Sequence, residues 1–270
     1  MKLATVSADD GTTSAAVLVD GLWRALPAPD LGTWLQGERE TDPGEPLTGW
    51  APVNPLPSPG KVICCGLNYA DHITETGRDL PTHPTLFAKH ADTLLGPGEE
   101  IVIPDDVALD WEAELAVVVG ATLRGADEAR AAAAIAGYTV ANDISVRDWQ
   151  KRTLQWFQGK AWDATTPLGP IVVTPDEVDP AAGLDVSCRV NGETVQHANT
   201  RTLVFGPAVL LAYISTFTVL RPGDVVLTGT PGGIGAAMTP PRFLADGDLV
   251  ETEIDGIGTL RNRVRLTPSI

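Results

Sequence analysis

From residue 62 onward, short β-branched and apolar runs alternate with turn signals, a pattern that leaves little room for long helices. Such runs fall at Val62 to Cys65, Thr85 to Ala88, Trp111 to Val119, Tyr138 to Ala141, Ile171 to Val173, Leu184 to Val190, Asp224 to Thr228 and Leu249 to Ile254. Two dipeptides indicate how some of them pair: Asn191-Gly192, between SCRV and ETVQ, and Asp255-Gly256, between VETEI and a closing run Thr259 to Leu266. Either pair suits the left-handed residues of a type I′ turn, so both are expected to make two-residue antiparallel hairpins. Helical pattern is confined to Ala126 to Ile135, Gly206 to Phe217 and a shorter piece at Tyr69 to Thr76. The expected fold class is therefore mixed, β-rich α+β.

The segment VNPLPSPG, residues 53–60, cannot lie inside a helix or a central strand. It divides a small β-rich region, residues 1–55, from a larger domain, residues 56–270. The balance of 19 Lys+Arg against 35 Asp+Glu gives a net charge of −16, which argues against nucleic acid and anionic membranes as partners. The start MKLATVSADDGTT has no apolar core of a signal peptide, and no apolar run is long enough to span a bilayer, so a soluble, cytoplasmic protein is expected. Cys64, Cys65 and Cys188 make neither a disulfide framework nor a metal pair, and read as buried small apolar residues in a reducing compartment.

Several residues could carry chemistry. In DWEAELAVVVG, Glu112 and Glu114 are two apart on an expected strand and share a face, opposite Trp111, Ala113 and Leu115. They read either as a solvated strand face or as two hard oxygen ligands. Asp143 ends an apolar strand in YTVANDIS and is either a helix N-cap before Ser145 to Thr153 or a third ligand. Three carboxylates without His or Cys would select Mg²⁺ or Mn²⁺ over Zn²⁺. His72 precedes Glu75 by three residues, which on a helix makes a surface ion pair or an oriented general base; Gly66 and Gly77 flank this segment as possible hinges of a lid. Lys160 stands in WFQGKAWDATTPLGP, a segment of little charge, either as a snorkelling lysine or as a dry ammonium for a substrate oxygen. TGTPGGIG, Thr228 to Gly235, is a turn or a backbone nest for a carboxylate.

Taken in order, GLNYADHITETG, PTLFAK, GPGEEIVIP, DWEAELAVVVG, GYTVANDISVRDWQ, QWFQGKAWDATTPLGP, NTRTLVF and RPGDVVLTGTPGGIG resemble the fumarylacetoacetate hydrolase family over about three quarters of the chain. The resemblance implies a β-roll catalytic domain, a homodimer, and Mg²⁺ or Mn²⁺ beside a small keto or diketo acid. Glu112, Glu114 and Asp143 resemble the family's metal ligands, Lys160 its substrate lysine, and His72 with Glu75 its water-activating dyad, which the related hydratases lack. Arg147, Gln150 and Thr230 match substrate-lining positions, with Gly66 and Tyr69 beside them in the motif. A departure falls at His90, where the family more often has Pro or a small residue after the matched lysine. The activity this implies is C–C bond hydrolysis of an acylpyruvate-like 2,4-diketo acid through a pyruvate enolate. Oxaloacetate decarboxylation and hydroxymuconate-type isomerisation use the same site, and a metal and keto-acid binding protein is the non-enzymatic alternative.

Overall fold

The computed structural model describes residues 1–70, 73 and 79–268. The dyad residues His72 and Glu75, and most of the expected Tyr69 to Thr76 helix, lie outside the described residues. Strands dominate. The largest sheet runs, edge to edge, Leu22–Ala25, Thr13–Val19, Lys2–Ser7, Thr166–Val173, Ile135–Asn142, Ala113–Val119, Val225–Leu227, Val62–Gly66 and Thr85–Lys89. Along this path only Val225–Leu227 with Val62–Gly66 is a parallel pair. A five-stranded sheet, Glu193–Asn199, Asp185–Val190, Leu249–Ile254, Gly258–Thr267 and Ile101–Pro104, packs against it. The fold is a strand-rich α+β type, as expected.

The strand Ala113–Val119 is buried along its whole length. Its residues Ala113, Leu115, Val117 and Val119 enter one core with Trp111, Val186, Cys188, Leu210 and Ile214. Ala116 and Val118 enter a second core with Cys64, Leu168 and Leu227. Leu3, Ala15, Leu31, Trp34 and Leu35 belong to that second core, and Lys2 pairs with Val173, so residues 1–52 extend the sheet of the main body. A strand covered on both faces explains the unbroken apolar run LAVVV, where a half-solvated strand would alternate.

Helices are short. Glu128–Ala133 is capped by Asp127, whose carboxylate accepts from Arg130 N at 2.8 Å. It stops well before the end of the expected Ala126 to Ile135 helix because Ile135 is taken into the strand Ile135–Asn142. Pro207–Phe217, with Pro at its first position, buries Leu210, Leu211 and Ile214. Arg147–Gln150 and Phe157–Lys160 are single turns that meet closely: a Cβ on Gly159 would lie 2.5 Å from the Gln150 backbone nitrogen. Among the described residues no helix is long and apolar enough to cross a membrane. The three cysteines are free and buried.

Both expected hairpins are antiparallel, but they turn differently. Val190 pairs with Glu193 across Asn191 (φ 53) and Gly192 (φ 82), the two left-handed residues a type I′ turn demands. Ile254 pairs with Gly258, so the second loop has three residues, with Gly256 at φ 75. Ile257, 4% exposed, joins the core from this loop, and burying it accounts for the extra residue.

The double burial of the central strand sets a graded expectation. Leu115→Ala, at a fully buried site, should lower the unfolding free energy by about 2–5 kcal/mol. Leu22→Ala, 52% exposed on the sheet edge, should change it by no more than about 0.5 kcal/mol. Urea denaturation followed by tryptophan fluorescence measures both.

Candidate metal and substrate site

Antiparallel pairing builds the site. Ala113 pairs with Asn142 and Glu114 with Ala141, so the start of one strand lies beside the end of the other. Asp143 N donates to Glu112 O at 2.8 Å, and Asn142 Oδ1 accepts from Glu112 N at 2.9 Å. Residues 112 and 143 thereby become neighbours. Oxygens of Glu112, Glu114 and Asp143 lie within 4.8 Å of one another. Glu112 is 8% exposed, Glu114 1% and Asp143 0%, which removes the solvated-face reading. Asp143 is not a helix cap either: Ser145–Val146 is a short strand, and the helix that follows begins at Arg147 without a side-chain cap.

Buried carboxylates need cations or protons. Lys160 Nζ donates to Glu112 Oε2 at 2.8 Å and to Asp143 Oδ2 at 2.6 Å, and Lys89 Nζ donates to Asp143 Oδ1 at 2.6 Å. Both lysines are buried, so Lys160 is not snorkelling. Arg147 places Nη1 2.7 Å from Glu112 Oε1 and Nε 2.7 Å from Asp110 Oδ2. Burial alone would raise the Asp143 carboxyl, but Lys160 and Lys89 outweigh it and hold the group below the usual carboxylate range. Burial also opposes the charge on Lys160, yet Asp143 and Glu112 keep that ammonium above its ordinary value.

Glu114 differs from its neighbours. Among the described residues its Oε2 accepts a backbone hydrogen bond, from Gly229 N at 2.6 Å, and no side chain donates to it. Burial, then the charges of Asp143 and Glu112, push its carboxyl well above the usual range. Among the described residues, four carboxylates (Asp110, Glu112, Glu114, Asp143) face three cationic side chains (Lys89, Lys160, Arg147). The excess of carboxyl groups over cationic side chains and the all-oxygen donor set fit a hard divalent cation held by Glu112, Glu114 and Asp143, which would take the place of the Glu114 proton.

A cavity of about 170 Å³ opens beside this cluster. Glu112, Lys160, Arg147, Gln150, Thr230 and Gly66 line it, with Trp156, Phe87, Cys65 and Ile234 as apolar wall. Arg147 Nη1 donates to Gln150 Oε1 at 2.9 Å, which turns the Gln150 amide. Gly66 gives way to the Trp156 ring, since a Cβ there would lie 2.6 Å from Cζ3. Trp156 in turn meets Phe87 edge-on at 5.5 Å. Trp149 and Trp162 stack edge-to-face on one another outside the cavity. Burial and Glu114 push the Cys65 thiol up to about 12, so it stays protonated in the wall. Tyr69 does not line the cavity; it is buried, bridged through its backbone to Leu203, and its hydroxyl has no hydrogen-bond partner among the described residues.

The family model for the fumarylacetoacetate (FAA) hydrolase C-terminal region matches residues 61–265. The chain belongs to the fumarylacetoacetate hydrolase family. It is 45% identical over 212 residues to a mitochondrial oxaloacetate tautomerase of Rattus norvegicus, covering 78% of this chain and 68% of that protein. A solved fumarylacetoacetate hydrolase from Exiguobacterium antarcticum superposes with a TM-score of 0.90 at 35% identity, over 99% of this chain and 100% of the other. A 5-carboxymethyl-2-hydroxymuconate delta-isomerase from Mycobacterium smegmatis gives 0.83 at 34% identity, with 100% of both chains covered. These family members carry the names of enzymes, and the names span different reactions.

Three residues that were not among the expected site residues contact this cluster. Lys89 holds Asp143 across 54 positions, and Asp110 holds Arg147 while accepting from Gly235 N at 2.7 Å and Ala236 N at 3.0 Å. Gln196 touches Ala113 and Thr230. Lys89 ends the matched segment PTLFAK and Asp110 opens DWEAEL, so both sat inside motifs whose partners are distant in sequence.

The raised Glu114 carboxyl predicts how metal binding depends on pH. Without metal, the native chain holds this proton more tightly than the unfolded chain does. Stability therefore falls as pH rises from the ordinary carboxylate range through the raised value. A bound cation expels the proton, so apparent Mg²⁺ or Mn²⁺ affinity should rise with pH across that window, with measurable proton release in titration calorimetry. Glu114→Gln should leave the metal-free protein as stable or more stable, and should abolish the increase in melting temperature on adding metal.

Proposed function

We propose that the protein is a Mg²⁺- or Mn²⁺-dependent enzyme that converts a small 2-keto acid through its enolate, with keto–enol tautomerisation of oxaloacetate as its reaction. The observation that carries this reading is the buried trio of carboxylates with a protonated Lys160 at the edge of a small, largely apolar-walled cavity. The tautomerase names of relatives at 45% identity support the choice of substrate.

Glu112, Glu114 and Asp143 would hold the divalent cation, which would supply Lewis acidity for an α-keto carboxylate. Lys160 Nζ, kept charged by Asp143 and Glu112, stabilises the oxygen on which negative charge develops when the C3 proton leaves. Among the described residues Arg147 Nη2 is buried without a hydrogen-bond acceptor, while Nε and Nη1 are fixed by Asp110, Glu112 and Gln150, so the guanidinium is a preset cation for a second carboxylate. Trp156, Phe87 and Ile234 exclude bulk water, which protects the enolate from indiscriminate protonation. The sequence offers His72, three residues before Glu75, as a general base that activates water; in the tautomerase reading the same imidazole would take the C3 proton instead.

A second reading, hydrolysis of an acylpyruvate, is favoured by the same His72 and Glu75, because attack on C4 needs an activated water and tautomerisation does not. The deciding experiment follows decay of the oxaloacetate enol absorbance, and pyruvate release from oxaloacetate and from acetylpyruvate, with Mg²⁺ or Mn²⁺ against chelator. Metal-dependent enol–keto exchange without pyruvate release is the expected result. Pyruvate from acetylpyruvate that vanishes in His72→Ala would establish the hydrolase instead, and pyruvate from oxaloacetate the decarboxylase. Lys160→Met should slow whichever reaction is found by about a hundredfold or more.

A further inference from the structure

Gln196 lies on Glu193–Asn199, in the five-stranded sheet, and is 2% exposed. Its amide leaves that sheet and enters the site. Oε1 accepts from Ala113 N at 2.9 Å, the backbone amide of the residue between Glu112 and Glu114. Nε2 donates to Thr230 Oγ1 at 2.9 Å and to Pro231 O at 3.0 Å. The amide can point only this way: a backbone N–H must donate and a backbone carbonyl must accept, so its oxygen faces the strand and its nitrogen the loop. Thr230 Oγ1 thus receives a proton from Gln196, and its own hydroxyl proton is turned elsewhere. Thr230 is half-buried and lines the cavity shared by Glu112, Arg147 and Lys160.

We propose that Gln196 is a positioning residue that makes the Thr230 hydroxyl a hydrogen-bond donor to the carboxylate of a bound 2-keto acid, and registers that donor against the strand carrying the two glutamates. The proposal rests on the 2-keto-acid reading above. The loop backbone has anchors on both sides of its Pro231 O contact to Gln196: Gly229 N donates to Glu114, and Gly235 N and Ala236 N donate to Asp110. Changing Gln196 should therefore redirect the hydroxyl and cost the one bond to Pro231 O while these anchors keep the loop in place.

Pyruvate binding to the manganese-loaded, full-length protein, measured by titration calorimetry, tests this. In Gln196→Glu the new carboxylate has no proton to give and accepts the one on Thr230, reversing the hydroxyl. Pyruvate affinity should fall about ten- to hundredfold, with KM rising more than kcat falls. Thr230→Val should lose a similar factor, and Thr230→Ser should restore most of it. The deciding comparison is Gln196→Glu made on the Thr230→Val background, where the penalty should shrink to about threefold or less because there is no hydroxyl left to redirect. A penalty that is equal on both backgrounds would show that Gln196→Glu acts by charge or by distortion, and would overturn the proposal, as would wild-type affinity in Thr230→Val. Should Gln196→Glu not fold, Gln196→Met on the same two backgrounds gives the same comparison, with melting temperature as the check. If the wild-type protein takes up manganese but not pyruvate, the 2-keto-acid reading itself fails, and this is seen before any variant is made.

Discussion

Asp143 is gripped on both oxygens, by Lys89 and by Lys160, and Lys160 passes on to Glu112, which Arg147 ties to Asp110. This chain of charge runs through the interior where the large sheet meets the single-turn helices. Removing one member of a buried pair leaves a stranded charge, at a cost of about 3–5 kcal/mol, so the network can exist only complete. It also dictates the surrounding structure: the antiparallel register of Ala113–Val119 on Ile135–Asn142, the close approach at Gly159, and the burial of the Lys89 end of an edge strand.

Glu114 stands apart from this mutual compensation. It shares the trio's geometry but has a backbone amide where Glu112 and Asp143 have cations. The strain of that arrangement is electrostatic, and a divalent cation relieves it. Lys160 sits on the other side of this asymmetry: Asp143 and Glu112 beside it hold its ammonium above the ordinary value despite its burial.

Much of this was legible in the sequence where the signal is local. The i, i+2 spacing of Glu112 and Glu114 put them on one face, and the structure separates Ala116 and Val118 from Leu115 and Val117 in the same way. Asn191-Gly192 named its turn, and Gly206-Pro207 opens the one long helix. Local patterns failed where distant packing decides. The alanines before Ile135 have helix propensity, but Ile135 pairs with Val119, and Asp255-Gly256 gains a third loop residue because Ile257 is buried. Lys89 and Asp110 lay inside recognisable motifs and Gln196 in none, but no local pattern showed what they do, since each meets a partner at least 30 positions away. The ordered motifs named the family and its metal trio, but could not rank one enolate reaction above another, because those reactions share the residues that the motifs contain.

The central strand has no solvent face, and its carboxylates sit at its end, while Trp156, Ile234 and Thr230 reach the cavity from connecting segments. Chemistry and selectivity are thus written in separate stretches of chain. A change at Trp156, Ile234 or Thr230 would reshape the cavity wall without removing a member of the buried charge network, whereas a change at Glu112, Arg147 or Lys160 would alter both. Such a division lets proteins of one architecture, at about a third sequence identity, bear the names of a hydrolase and an isomerase.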